Sequence, residues 1–383
     1  MSTLSDKTSH GSHEMTKRFP ARRRALPRPV AGGARPDPAE FYAALDLGTN
    51  SCRMLIAQPR GRQFHVVDSF ARSVRLGAGL ERTGRLARSS IDRALAALRV
   101  CRAKLDRHNV RRMRLVATEA CRRASNGPAF LRQVERETGL SLEVIPPEEE
   151  ARLAVISTAP LVSTRTAQLL VVDIGGGSTE LVWIDLSKVP PVERPRALMR
   201  LHRGFHAEDT PFPAPKVVDW ISIPLGVATL RDQFRDVADE AARFALMSCA
   251  FEEAMETFAP YATLPQAEGE EFQIIGTSGT VTTVAASHLG LRRYERNKVD
   301  GLTMTTEQID RVIHRYLRMG PEGRRNDPCI GRDRAVLILS GAAILQTLLR
   351  IWPTRHLTVA DRGLREGLLM AQMSADGVLE DSC

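Results

Sequence analysis

Two stretches of this sequence share one order of parts: an apolar run, an aspartate, glycine, then hydroxyl residues. Ala44-Leu45-Asp46-Leu47-Gly48-Thr49-Asn50-Ser51 is the first, and Val171-Val172-Asp173-Ile174-Gly175-Gly176-Gly177-Ser178-Thr179-Glu180 is the second. An apolar run of this length reads as a buried strand. The glycines let backbone N–H groups approach an anion, and Thr49, Asn50, Ser51, Ser178 and Thr179 add side-chain donors. Asp46 and Asp173 can each hold a metal ion, directly or through water, or cap their own loops by accepting backbone N–H bonds. Two such loops in one chain point to two related halves facing one phosphate-bearing ligand.

Other residues extend the same chemistry. Glu180 is a charged residue on a core strand, where charges are rarely buried without a partner. Its nearness to Asp173 favours a metal or water site over a surface-facing position. Glu148, Glu149 and Glu150 open a helix just after an expected strand. One of them could serve as a general base at the hinge between halves, or all three could simply answer the helix dipole. Arg122 and Arg123 follow the strand and turn at 117–121. A guanidinium there can grip phosphate oxygens with two parallel bonds or form a surface salt bridge. Gly276, Ser278, Gly279 and Thr280 sit at a strand-to-helix turn that could cradle another anion or be a tight turn alone. Removing a terminal phosphate with water needs such parts: a cradle, a water-orienting base and stabilisation of charge on the transferring group. No histidine stands at a spacing that assigns it a role.

The motifs as a set resemble the actin-like ATPase and sugar-kinase superfamily, and within it the exopolyphosphatase/guanosine pentaphosphate phosphatase (Ppx/GppA) branch. Besides the two loops, the resemblance rests on Ala117-Thr118-Glu119-Ala120-Cys121-Arg122, Glu149-Glu150-Ala151-Arg152, Gly276-Thr277-Ser278-Gly279-Thr280 and Gly363-Leu364-Arg365-Glu366-Gly367. It implies an α/β fold of two actin-like (ribonuclease H-like) domains facing an interdomain cleft. It also implies a hydrolase that releases terminal phosphate from inorganic polyphosphate with Mg²⁺, or alternatively from guanosine pentaphosphate (pppGpp). A kinase of the superfamily and a non-catalytic polyphosphate or nucleotide sensor are more distant readings. The resemblance selects Glu150 as the base and Arg122 as the phosphate-binding arginine, with Asp173 and Glu180 also catalytic and Asp46, Asp173 and Glu180 around the metal. It makes Arg365 and Glu366 a structural pair in a helix that packs the second half. One departure is Pro146-Pro147, where the family usually has Ser-Gly; proline supplies no N–H, so a backbone phosphate contact is lost there. Family members often carry a further helical domain, and this sequence resembles the short form.

The chain has 383 residues and a net charge of +9, with 43% hydrophobic and 26% charged residues, ordinary for a globular protein. Residues 1–38 hold eight basic residues against three acidic ones and are rich in Pro, Gly and Ser. They read as a disordered basic tail, with weak nucleic-acid or polyanion contact as its one functional option. Strands and helices then alternate: domain I at 39–158, domain II at 159–375, and a C-terminal tail at 376–383. Lys188 to Asp219 reads as a Pro-rich insertion with a strand near Ala197 to Leu201, and its Arg194, Arg196, Arg200 and Arg203 as residues that shape substrate choice. No apolar run nears the ~20 residues that span a membrane, and no signal core follows the N-terminus. The cysteines, without metal-site spacing, read as reduced thiols of a cytoplasmic protein. A homodimer is the prior expectation for a soluble assembly.

Overall fold

The computed structural model describes residues 40–205, 213–262 and 272–379. The first apolar run becomes Tyr42–Leu47 (β1), buried along its length except at Asp46. It lies antiparallel to Ser51–Arg60 (β2), which lies antiparallel to Gln63–Ser73 (β3). On its other side β1 runs parallel to Arg112–Ala117 (β4), and β4 to Glu143–Val144 (β5). The sheet order is therefore β3-β2-β1-β4-β5. A central strand covered on both faces needs a continuous apolar run, which is why Tyr42 to Leu45 carries no alternation.

The second sheet repeats the plan. Gln168–Ile174 (β6), Thr179–Asp185 (β7), Lys216–Ile223 (β8), Phe272–Thr277 (β9), Thr303–Met304 (β10) and Leu357–Ala360 (β11) are ordered β10-β11-β9-β6-β7-β8. Strands β6, β7 and β8 are antiparallel neighbours, whereas β6, β9 and β11 run parallel. Without β10 this is the first sheet over again. The registers agree too: Asp46 lies opposite Arg53 across β1 and β2, and Asp173 lies opposite Glu180 across β6 and β7. The expected two-domain α/β duplication is present, within one compact unit, Asp37–Cys383.

Two helices exchange sheets. The helix Pro147–Thr158 follows the first sheet in the chain, yet its Ala151, Ala154 and Val155 pack with Leu169, Val171, Val182 and Ile275 of the second. The helix Leu364–Ala375 follows the second sheet, yet its Leu364, Leu368, Leu369 and Met373 pack with Tyr42, Ala44 and Val116 of the first. This corrects the expectation that the Gly363-Leu364-Arg365-Glu366-Gly367 helix packs the second half. The two helices also pack on each other through Leu153 and Ile156. Their approach is close enough that a Cβ on Gly367 would stand 2.2 Å from the Leu153 carbonyl oxygen. Just beyond, Asp376 accepts hydrogen bonds from Tyr42 Oη and Arg112 Nη1, both at 2.9 Å, so the expected C-terminal tail begins tied to the first sheet.

The expected insertion is ordered where it is described. Residues 197–201, expected as strand, lie in the helix Arg194–Met199 and the 3-10 turn Arg200–Arg203. Ala197, Leu198 and Leu201 are the reason: their spacing puts three apolar side chains on one helical face, in the cluster with Val182 and Ile184. The segment ends earlier than expected, since β8 begins at Lys216 and pairs with β7. Arg194 is buried and donates to the carbonyls of Val189 and Thr164, a structural use rather than a substrate-facing one. Residues 1–39, 206–212, 263–271 and 380–383, and with them the basic tail, lie outside the described residues. Among the described residues no helix is long and apolar enough to cross a membrane.

Replacing Gly367 by alanine should push the crossing helices apart and cost about 1–3 kcal/mol, the range for overpacking a tight contact. The urea midpoint should fall without a change of slope. An unchanged midpoint would mean that the helices are free to separate.

Candidate active site

The two phosphate loops meet across a cleft of about 370 Å³. Each closes on itself in the same way: Gly48 N–H donates to the Ser51 carbonyl at 3.0 Å, and Gly175 N–H to the Ser178 carbonyl at 2.9 Å. The loops touch. A Cβ on Gly177 would lie 2.4 Å from Thr49 Oγ1 and 2.9 Å from Glu119 Cγ, so only glycine lets the second loop seat against the first. Gly48, Thr49, Asn50, Ser51, Gly175, Gly176, Gly177 and Ser178 all line the cleft. Ser278, Gly279 and Thr280 line it from β9's end, where Ser278 holds φ 126° and its Oγ accepts from the N–H of Thr280 at 3.1 Å. Such a backbone is strained for a residue with a side chain, and strain of this kind gathers at functional sites.

Two expected cradle residues are elsewhere. Gly276 is buried within β9, where a Cβ would press on Val281 at 3.2 Å, so its small size serves strand-to-helix packing. Thr179 is fully buried at the start of β7 and its Oγ1 donates to the Leu225 carbonyl at 2.8 Å. Neither lines the cleft.

Six acidic residues line the cleft, Asp46, Glu119, Glu150, Asp173, Glu180 and Asp361; Glu119 pairs with Arg122 and Arg123, Asp361 pairs with Arg296, and charges among the other four raise the pKa of Glu150, Asp173 and Glu180. Of the three glutamates at the helix start, Glu150 alone lines the cleft. Glu149 turns away to Arg114 at 2.7 Å and Arg152 at 3.2 Å, and Glu148 is exposed. Glu150 is only 9% exposed. Burial, then the charge of Glu180, hold its carboxyl well above the usual range, against the pull of Arg122. Glu180, 2% exposed, accepts from Ser222 Oγ at 2.8 Å; burial and Asp173 push it up to about 7. Asp173 is pushed up to about 6 by burial and Asp46, and Asp46 is itself raised, mainly by burial.

Arg122 is not where a direct phosphate grip would put it. Its guanidinium donates to Glu119 Oε2 at 2.7 Å, to the Ile145 carbonyl at 2.7 Å and to Glu150 Oε2 at 3.3 Å. With those donors engaged, it positions Glu150 from behind rather than lining the cavity. Arg152 fixes the same helix from the other side, bonding the carbonyls of Leu201 and His202 in the insertion.

Cations on the cleft wall come instead from residues to which the sequence reading gave no site role. Arg53, Arg334, Arg362 and Arg365 line it, with Arg53 Nη2 and Arg334 Nε both 3.9 Å from where a Gly279 Cβ would stand. Arg53 had a visible signal, a lone charge in the apolar strand Cys52-Arg53-Met54-Leu55-Ile56. Arg365 approaches Glu366 at only 3.9 Å, while Glu366 caps its own helix by accepting from Gly363 N–H at 3.0 Å. Cys52 is buried, and a hydrogen bond with Cys101 and burial push its thiol up, so it stays protonated.

The acidic wall fits a hard cation. Asp46 Oδ1 and Thr49 Oγ1 are buried without a hydrogen-bond partner, and the carboxylates raise one another's pKa. Among the described residues no group of three or more carboxylate, histidine or cysteine side chains forms a ready metal cage. Magnesium commonly takes one or two carboxylates and completes its shell with water and substrate phosphates, which this wall allows.

A family model described as the Ppx/GppA phosphatase family matches residues 55–375. A guanosine-5'-triphosphate,3'-diphosphate pyrophosphatase of Aeromonas salmonicida is 30% identical over 330 residues, covering 86% of this chain and 58% of the relative. The chain thus spans less than two thirds of that curated relative. The crystal structure of the Aquifex aeolicus member of the Ppx/GppA family is 29% identical, with a TM-score of 0.67 over 88% of this chain and 98% of that one. An exopolyphosphatase from Cytophaga hutchinsonii, at 22% identity and a TM-score of 0.73 over 89% of this chain and 100% of that one, shares the fold.

Glu180 ionises near 4.5 when free but near 7 in the fold. Between these values the native state holds the extra proton, so the group's ionisation progressively destabilises the fold as pH rises through that window. Glu180→Gln should therefore be more stable than the parent at pH 8, on the order of 1–3 kcal/mol, and indistinguishable at pH 4. Urea unfolding at both values checks this; equal stability at pH 8 would place the ionised carboxylate in a satisfied environment.

Proposed function

The chain belongs to the Ppx/GppA phosphatase family, and we propose that it hydrolyses the terminal phosphoanhydride of inorganic polyphosphate. The observation that carries this is Glu150: buried, clamped by Arg122, poorly satisfied as an anion and facing two phosphate loops. Water attacks the terminal phosphorus and gives its proton to Glu150. The bond from that phosphorus to the bridging oxygen breaks, and the shortened chain leaves. A carboxylate whose pKa burial and Glu180 hold above the usual range takes a proton more readily than a free glutamate would. The N–H groups of both loops bind the non-bridging oxygens, and Arg53, Arg334 and Arg365 neutralise charge further along the chain. One or two carboxylates drawn from Asp46, Asp173 and Glu180 would hold Mg²⁺, which would supply charge neutralisation at the phosphate oxygens.

The described lining consists of backbone amides, hydroxyls, guanidinium groups, carboxylates and a few aliphatic side chains. These suit phosphate oxygens rather than the face of a purine, which favours the inorganic chain. A second reading, release of the 5′-terminal phosphate from guanosine pentaphosphate, is supported by the name of the Aeromonas relative. Both substrates present the same terminal group to Glu150.

Phosphate release with Mg²⁺ from the two substrates, at matched terminal-phosphate concentration, separates the readings. Faster release from polyphosphate is expected, and Glu150→Gln should lower kcat about 10²–10⁴-fold while leaving binding intact. Faster release from the nucleotide would move the substrate to the second reading. A Glu150→Gln enzyme within tenfold of the parent would remove Glu150 as the base.

A further inference from the structure

Away from the cleft, Arg231, Arg235, Arg243, Arg324 and Arg325 line one cavity of about 240 Å³, with Glu240 the only carboxylate in that lining. Two more carboxylates stand beside the rim. Arg231 is 3.6 Å from Asp232 and Arg235 is 3.4 Å from Asp236, pairs that are exposed and therefore weak. The buried member is Arg324, at 2% exposure. Its Nη1 donates to the Tyr316 carbonyl at 2.7 Å and its Nη2 to Glu240 Oε1 at 2.6 Å, but its Nε is buried with no partner. Arg243 donates to the same Glu240 oxygen at 3.0 Å, so one carboxylate serves two guanidinium groups.

The backbone is built to bring these charges together. The helix Thr306–Asn326 breaks at Gly320, which holds φ 65°, and Pro321 follows. The turn carries Arg324 to Glu240, at the start of the helix Glu240–Ala254. Gathering like charges around a buried and incompletely satisfied guanidinium is costly unless an anion completes the site.

We propose that this cavity is a second anion site that takes a short run of phosphates. Several guanidinium forks converging on one small volume match the clustered oxygens of linked phosphates, which accept paired N–H bonds. The volume lies below the usual ~300–1,000 Å³ of pockets that enclose a whole small molecule. The apolar part of the lining, Met247, Pro321, Ala335, Val336 and Leu339, holds no aromatic ring for a base to stack on. The phosphates can come from an inorganic oligophosphate or from the phosphate arm of a nucleotide. The site has one wall in common with the cleft: Arg334, Leu337 and Ile338 face the cleft, whereas Ala335, Val336, Leu339 and Ser340 face this cavity. A helix with its side chains is about 10–12 Å across, which sets the scale of the separation.

Calorimetric titration of Glu150→Gln protein with tripolyphosphate, without Mg²⁺ so that the probe is not turned over, tests this. Two binding equivalents are expected. Adding Arg235→Glu and Arg325→Glu, both at exposed positions, should leave one equivalent with unchanged affinity, and Arg325→Glu alone should weaken the other about tenfold. A guanosine diphosphate arm identifies the source: tighter binding than tripolyphosphate means a nucleotide arm, weaker binding an inorganic run. One equivalent in the parent, or two in the double charge reversal, overturns the proposal. The cleft equivalent persists in either case, so this outcome is independent of the role assigned to Glu150.

Discussion

Four carboxylates on one buried wall are the constraint around which the rest of this molecule is arranged. Asp46, Glu150, Asp173 and Glu180 cannot all ionise freely in so little water, and Asp173, Glu180 and Glu150 are each held above their ordinary pKa. A fold selected for stability alone would place apolar groups there. Holding like charges together stores unfavourable energy that a cation and a phosphate chain can relieve. The neighbouring guanidinium groups set how much relief is already present. Arg122 touches Glu150 and lowers its pKa, and the charge of Arg53 lowers those of Asp46 and Asp173.

The two sheets keep those charges in place because neither is independent of the other. Glu150 rides on a helix from one half that packs against the other, and Leu364–Ala375 makes the reverse crossing. The point where they cross is tight enough to require Gly367. At the cleft floor, Gly177 against Thr49 brings the loops into direct contact. Any relative movement of the halves must therefore displace Glu150 with respect to the first loop, which links the packing of the core to the reach of the base. The insertion contributes from outside, through its carbonyls on Arg152.

Much of this was legible from residue order. The apolar runs before the two loops placed β1 and β6, and the Asp-Gly-hydroxyl pattern marked both loops. The resemblance singled out Glu150, which stands on the cleft wall, but the role it gave Arg122 needed side-chain contacts to revise. The helix exchange was not legible, since Leu364, Leu368 and Leu369 show a helical apolar face without showing which sheet it will meet. Gly276 and Thr179 were read as cradle residues because their types suit an anion; Gly276 is buried in β9 two positions before Ser278, and Thr179 is buried as the first residue of β7. Residues 197–201 were ambiguous, as short apolar segments are, and tertiary packing made them helical. Arg334 and Arg362 come from distant parts of the chain, and no local pattern joins them to Arg53.

The pH dependence of kcat/KM for phosphate release, measured on the parent and on Arg122→Gln, tests the central claim most directly. Glu150 must be ionised to accept the proton, and its carboxyl is raised by burial and by Glu180 while Arg122 lowers it. The parent should lose activity as pH falls, with a midpoint well above the ~4.3 of an unperturbed glutamate. Removing Arg122 should move that limb to still higher pH. A parent profile that stays flat down to pH 5, or a limb that does not move in Arg122→Gln, would contradict the account.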